Sequence, residues 1–153
     1  MQKGTCKWTD GDVYEEELVD GQPHGKGKEI DSVGVYEGEW MDGKKHGKGI
    51  IQWSNGGVYE GEWKDGTRHG KGTFKWPDGE EYEGEWKDSD RHGNGTFNYS
   101  NGDVYKGEWV ADNMHGKGVL KYHNGDVYSG GWRGGKKHGM GYSSIEYTFM
   151  ETC

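Results

Sequence analysis

The sequence predicts an all-β protein, an elongated single antiparallel sheet of tandem β-hairpins with about six repeats. Three observations carry this. Six tyrosines, Tyr14, Tyr36, Tyr59, Tyr82, Tyr105 and Tyr128, are spaced 22, 23, 23, 23 and 23 residues apart. After each of the five later tyrosines the residues alternate in character, and Asp-Gly or Asn-Gly pairs recur between the alternating segments. A unit this short cannot bury a core alone and must stack on copies of itself.

Within one repeat, Tyr59-Glu60-Gly61-Glu62-Trp63 alternates strictly. Successive strand side chains point to opposite faces, so Tyr59, Gly61 and Trp63 share one face and Glu60 and Glu62 the other. The segment from His69 to Trp76 is read the same way, with Gly70, Gly72, Phe74 and Trp76 on one side and His69, Lys71, Thr73 and Lys75 on the other. Between them Lys64-Asp65-Gly66-Thr67 is a hairpin turn, since Asp-Gly supplies the positive backbone dihedrals such a turn needs. Hairpins are joined by Asp10-Gly11, Asn55-Gly56, Asp78-Gly79, Asn101-Gly102 and Asn124-Gly125, each three residues before the next tyrosine. The product is a meander of about 55–60 Å, at two strands per repeat and about 4.8 Å per strand.

Taken in order, residues 1–13 form an N-terminal half-repeat and 14–35 a divergent first repeat or cap. Repeats follow at 36–58, 59–81, 82–104, 105–127 and 128–141, and 142–153 is a C-terminal cap or tail. The whole is read as one domain. The first copy carries Glu16 and Leu18 where glycine and tryptophan stand later. Two turns depart from Asp-Gly, with Asp88-Ser89 and Ala111-Asp112 in its place, and are expected to be of another type. The tail Ile145-Glu146-Tyr147-Thr148-Phe149 alternates like one more strand closing the C-terminal end.

Only 29% of the 153 residues are hydrophobic and 31 are glycine, so the core is aromatic and thin. Glycines 38, 61, 84, 107 and 130 are read as leaving room for tryptophan rings. On the other face Glu60 and Glu62 are expected to oppose Lys71 and Lys75, as solvated cross-strand charge pairs. The net charge of −8 disfavours nucleic acid, whose binding rests on neutralising phosphates. Residues 1–35 carry 8 acids and 4 bases, whereas 128–150 carry 1 acid and 3 bases. No charged-then-apolar leader and no apolar run of about 20 residues is present, and a soluble chain is expected. Cys6 and Cys153 lie at opposite ends, a poor disulfide framework, and Cys6 is read as a small buried apolar group in a cytoplasmic protein.

The signature Tyr-x-Gly-x-Trp, a turn, then His-Gly-x-Gly, at a 23-residue period, resembles the MORN repeat (membrane occupation and recognition nexus). It is carried by Tyr36-Glu37-Gly38-Glu39-Trp40 with His46-Gly47-Lys48-Gly49 and by the sets starting at Tyr59, Tyr82, Tyr105 and Tyr128. The resemblance implies a half-pipe of antiparallel sheet acting as an interaction module. The family includes cytoskeletal and ciliary scaffolds, proteins at membrane junctions, and regulatory segments attached to lipid kinases or methyltransferases. A cytoskeletal or ciliary association within the cytoplasm is the localisation it implies.

Six repeated histidines, His24, His46, His69, His92, His115 and His138, invite a metal reading. Corresponding residues of adjacent repeats should lie about 9.5 Å apart, whereas two ligands of one zinc lie within about 4 Å. A structural, hydrogen-bonding role is expected instead, with no metal and no cofactor. Carboxylate pairs such as Glu60 and Glu62 recur on the solvated face, so they are read as surface rather than as an acid and base. His-Gly-x-Gly lacks the rest of any phosphate loop. No catalytic residue is assigned, and the chain is expected not to be an enzyme.

Ten aromatics, Tyr36, Trp40, Tyr59, Trp63, Tyr82, Trp86, Tyr105, Trp109, Tyr128 and Trp132, are assigned to the repeat core. Trp53, Phe74, Trp76, Phe97, Tyr99 and Tyr122 vary more and are the candidate lining of a concave groove. With no helix of convincing length to cover the aromatic face, that groove is expected to hold a protein partner, either an extended peptide or an amphipathic helix. Alternatives are a phospholipid surface met by Lys117, Lys121, Arg133, Lys136 and Lys137, and regulation of an enzyme whose catalytic domain lies elsewhere. A homodimer joining acidic and basic ends is compatible with each.

Overall fold

The structure, a computed structural model, describes residues 2–7, 11–143 and 149–152. Trp8, Asp10, Cys153, the Cys6 side chain and the tail residues 145–148 lie outside the described set. Fourteen strands and no helix are formed by the described residues. The chain divides into two compact units, Met1–Pro77 and Asp78–Cys153.

The first unit contains β1 (Gln2–Lys7), β2 (Val13–Val19), β3 (Gln22–Ile30), β4 (Gly34–Met41), β5 (Lys44–Trp53), β6 (Val58–Lys64) and β7 (Thr67–Lys75). The second contains β8 (Glu81–Lys87), β9 (Asp90–Asn98), β10 (Val104–Val110), β11 (Asn113–Lys121), β12 (Val127–Arg133), β13 (Lys136–Ser143) and β14 (Phe149–Thr152). In each unit every strand pairs antiparallel with its sequence neighbours, so hairpin follows hairpin. The divergent first copy forms the same hairpin as the rest. The last described strand, β14, pairs with β13 and starts at Phe149, the residue at which the alternating tail was expected to end.

Each described hairpin loop has two residues of positive φ. Asp65 and Gly66 stand at 49° and 83°, and Asp88 and Ser89 at 48° and 68°. Ala111 and Asp112 stand at 45° and 72°. The expectation of another turn type at the last two is therefore corrected. The right-handed twist of the flanking strands selects this loop, and side chains that disfavour it are carried along.

The core is a zipper of rings. Tyr14, Tyr59, Tyr82, Tyr105 and Tyr128 are fully buried and Tyr36 nearly so. Trp40, Trp63, Trp109 and Trp132 each stand edge-on to two tyrosines. Trp40 meets Tyr14 and Tyr36 at 5.2 and 5.1 Å, and Trp63 meets Tyr36 and Tyr59 at 5.3 and 5.1 Å. Trp109 and Trp132 repeat the pattern in the second unit. Such pairs contribute about 0.5–1.5 kcal/mol each beyond area burial. The polar atoms of these rings are satisfied by the backbone. Tyr36, Tyr59, Tyr82 and Tyr105 donate their hydroxyls to the carbonyls of Glu39, Glu62, Glu85 and Glu108 at 2.8–2.9 Å. Trp40, Trp63, Trp109 and Trp132 donate Nε1–H to a glycine carbonyl of the preceding repeat at 3.1–3.2 Å.

The reading that Gly38, Gly61, Gly84 and Gly107 leave room for tryptophan is corrected: a Cβ at each would meet the cross-strand glycine and a backbone carbonyl, and the ring on the cross-strand glycines is the tyrosine. Gly38 pairs with Gly49 across β4 and β5, and a Cβ on Gly49 would run into the Tyr36 ring. The same holds for Gly72 under Tyr59, Gly95 under Tyr82 and Gly118 under Tyr105. The expected charge pairing is also corrected. Glu60 lies opposite Thr73 on one side and Ile50 on the other, and Lys75 lies opposite Val58. The lysine facing Glu62 comes from the preceding strand, as Lys48.

Three outcomes follow from this packing. Gly49→Ala, measured by chemical denaturation, should cost about 2 kcal/mol or more, because the added carbon overpacks a filled site; a change indistinguishable from Lys48→Ala would remove the tyrosine–glycine contact as a constraint. Ser89→Gly and Ala111→Asn should each raise the unfolding free energy by about 1 kcal/mol, and a loss of stability in both would contradict the turn assignment. Burial pushes the phenols of Tyr36, Tyr59 and Tyr82 far above the ordinary tyrosine range and that of Tyr105 up to about 12. Only the unfolded chain releases these protons just above its own value of about 10. Their contribution to stability is thus complete below about pH 10 and is lost as pH rises toward the folded values. Tyrosinate absorbance from the core should appear together with loss of the sheet signal, and its appearance in an intact sheet would refute this.

Candidate functional site

The second strand of each hairpin carries a bulge that the sequence pattern hides. In β7 the pairing with β6 shifts between Gly61 and Trp63, where Gly70 takes a φ of 70°. The register changes by two, from Gly61 opposite Gly72 to Trp63 opposite Arg68, so the bulge adds two residues and the alternation resumes in phase beyond it. Arg68 stands opposite Trp63, on the aromatic face, the side that it shares by alternation with Gly72 and Phe74. The equivalent residues are Lys45 opposite Trp40, Arg91 opposite Trp86, Met114 opposite Trp109 and Lys137 opposite Trp132.

These cations lie on rings. Lys45 Nζ is 5.3 Å from the Tyr36 centroid and 5.5 Å from that of Trp40. Arg68 lies 5.1 Å from Phe74, and Arg91 4.6 Å from Trp109 and 5.3 Å from Phe97. Arg91 is also clamped to Asp112, with Nε–H donated to Oδ1 at 2.6 Å and a second donor to the carbonyl at 2.9 Å. Sequence reasoning missed this row of cations. Its signal was the 23-residue recurrence of Lys45, Arg68, Arg91 and Lys137 together with a bulge glycine.

The ten core aromatics occupy the zipper described above, with Trp86 buried against Tyr82 at 5.0 Å. Of the six candidate lining residues, five are half-buried and Phe97 is buried. In the first unit Trp53 and Phe74 stand 5.1 Å apart and Phe74 and Trp76 4.4 Å apart, in tilted array. In the second unit Phe97 and Tyr99 stand 4.5 Å apart. The Tyr99 hydroxyl donates toward the Met114 sulfur at 3.8 Å, and burial raises its pKa. Tyr122 lies 5.4 Å from the Lys137 ammonium, which also sits 4.6 Å from Tyr128. Each unit thus presents its own aromatic cluster edged by a cation.

The five basic residues considered for lipid contact do not share one surface. Lys137 is laid over the aromatic face, whereas Lys117 lies on the opposite, charged face beside Lys106 and Ser129. Arg133 and Lys136 flank the Gly134-Gly135 turn, and Lys121 ends β11 opposite Val104 and Val127.

The carboxylates read as a solvated row have a structural task. Glu39, Glu62, Glu85 and Glu108 each accept the backbone N–H of Lys48, Lys71, Asn94 and Lys117, at 2.5 Å. That amide belongs to the bulge, so the carboxylate fastens it. Of the repeated histidines, His24 accepts the Asp42 N–H at 3.4 Å. Among the described residues, no three His, Cys, Asp or Glu side chains gather around a common point.

Comparison with curated protein sequences gives no match. Among solved structures, the chain is similar to the TCP domain of SAS-4 (dCPAP) of Drosophila melanogaster, in complex with a proline-rich motif of Ana2 (dSTIL). The TM-score is 0.55 at 11% identity, over 96% of this chain and 80% of that one, which is a likeness of fold alone. The MORN-repeat profile matches residues 3–13, 17–34, 36–58, 59–81, 82–104, 105–127 and 128–142. The chain therefore belongs to the MORN-repeat family.

Proposed function

We propose that this chain is a non-enzymatic interaction module that takes an extended, proline-containing peptide of a protein partner on its aromatic face. One observation carries the reading. After the tyrosine–tryptophan zipper has used its own rings internally, Trp53, Phe74 and Trp76 remain half-buried in a tilted row of three, with Arg68 at its side. Among the described residues no helix or second sheet covers them.

The chemistry of such a row suits an extended ligand. Proline-rich segments hold a preformed left-handed helix and dock between flat aromatic side chains, which costs little conformational entropy. Arginine supplies donors for the unpaired carbonyls that a proline-rich backbone exposes. The structurally similar TCP domain is recorded with a proline-rich motif, which supports the same class of ligand here. The zipper rings already satisfy their polar atoms with the backbone, so the half-buried ring row is the aromatic area left to bury.

The reading is tested with a proline decapeptide, titrated into the full chain while tryptophan emission and the indole N–H resonances are followed. Trp53 and Trp76 should respond. Trp76→Ala should weaken binding at least about tenfold, as expected for loss of a central aromatic anchor, with the sheet signal unchanged. Equal binding by wild type and Trp76→Ala would sink the proposal, as would a response confined to tryptophans of the buried zipper.

A further inference from the structure

We infer that the last repeat carries an open seat for a carboxylate supplied by another polypeptide, on the charged face and independent of the aromatic surface. The argument starts from an internal comparison. In four successive repeats the bulge glycine, Gly47, Gly70, Gly93 or Gly116, is closed over by the carboxylate of Glu39, Glu62, Glu85 or Glu108, so that a Cβ there would collide with Oε2. Each of those carboxylates accepts the next backbone N–H at 2.5 Å. In the fifth, the glutamate position is Gly131, and around the bulge glycine Gly139 (φ 72°) none of the described residues stands within 4 Å of the Cβ position. The tyrosine still holds the loop, its hydroxyl donating to the Gly131 carbonyl at 3.2 Å. The tyrosine bond and the strand pairing are kept and the plug is removed, while the backbone at Gly131 stands closer to the His138 carbonyl than a side chain would allow.

The surroundings change in the same sense. The hollow over Ile50 is lined by Glu37, Glu60 and Glu62 together with Lys48 and Lys71. Its counterpart over Val119, in the second unit, is lined by Lys106, Lys117, Ser129, Gly131, His138 and Gly139 and, among the described residues, by no carboxylate. Register confirms the equivalence. Ile50 lies between Glu37 and Glu60, and Val119 between Lys106 and Ser129. Three acids are thus exchanged for lysine, serine and glycine at one place. An anion entering this hollow meets two ammonium groups and the bulge backbone at Gly139 and Met140, and the counterparts of the Met140 amide bind a carboxylate oxygen in the four filled repeats. Charge-assisted hydrogen bonds of this kind are the strong ones.

The ligand class is a glutamate or aspartate side chain of a partner polypeptide, because the four filled seats show a carboxylate oxygen on a single N–H. A tetrahedral phosphate would leave acceptors unused there.

The test uses the full chain labelled with ¹⁵N and the peptide acetyl-Glu-Glu-Glu-amide, with its glutamine version and inorganic phosphate as further arms. The glutamate peptide should shift the Gly139 and Met140 amides to saturation, and the glutamine peptide should bind roughly tenfold more weakly. Gly131→Glu, which supplies the carboxylate in cis, should abolish the shift, and Gly131→Ala should retain it. A Cβ at Gly131 meets the His138 carbonyl. If those variants fail to fold, Lys106→Gln with Lys117→Gln serves instead and should weaken the peptide at least threefold. No shift at Gly139, equal binding of the glutamine peptide, unaltered binding in the lysine variant, or a stronger response to phosphate than to the peptide would each overturn the assignment. None of these outcomes bears on proline-peptide binding, so the two readings fail separately.

Discussion

Everything in this sheet depends on one contact: a tyrosine ring laid flat over a cross-strand pair of glycines. Gly38 against Gly49, Gly61 against Gly72, Gly84 against Gly95 and Gly107 against Gly118 leave a recess without side chains, and the ring of the same repeat fills it. Its hydroxyl then reaches the carbonyl three residues on, and its two faces and edges receive tryptophans from its own repeat and the next. Mid-strand glycine is ordinarily unfavourable. Here it is the condition for burying the largest side chains in a chain poor in aliphatic residues.

From that contact the functional surfaces follow. Filling the recess with tyrosine forces the second strand to bulge at the following glycine, because the carbonyl three residues after the tyrosine must turn toward its hydroxyl. The bulge creates an amide that a glutamate fastens, and it adds two residues to the strand, so the next residues keep their faces. The cation opposite the tryptophan, Lys45, Arg68, Arg91 or Lys137, lies among the rings. Charged and aromatic faces are coupled products of one local geometry, which is why a change such as glutamate to glycine at Gly131 alters the charged face while the tyrosine bond at Tyr128 persists.

Much of this was legible in the sequence, for a definite reason. Period, strand pairs and hairpin positions are dictated by recurrence and by Asp-Gly and Asn-Gly pairs, and the core tyrosines and tryptophans fell where alternation put them. What was hidden is set by backbone angles that residue type does not specify. Gly70 and Gly72 look alike in sequence, yet the first has a positive φ and bulges while the second is flat beneath Tyr59. Arg68 keeps the side that alternation gives it, but residue type alone does not say that a cation there lies on rings. Glu62 sits on the solvated side as expected, but its bond to the Lys71 amide depends on that same bulge. The turn at Ala111-Asp112 was misjudged because strand twist, and not local preference, fixes the loop. Among the candidate lining residues, only Phe97 is buried, under Arg91, Tyr99 and Trp109.

The central functional claim is that the aromatic side of the sheet, and not its charged side, meets an extended partner. A proline decapeptide carrying a nitroxide at one end tests this directly through paramagnetic broadening in the full chain. Broadening should concentrate on the indole N–H groups of Trp53 and Trp76 and leave the methyl groups of Ile50 and Val119 sharp, since these lie on the opposite face. Broadening of Ile50 and Val119 with the indoles unaffected would contradict the account.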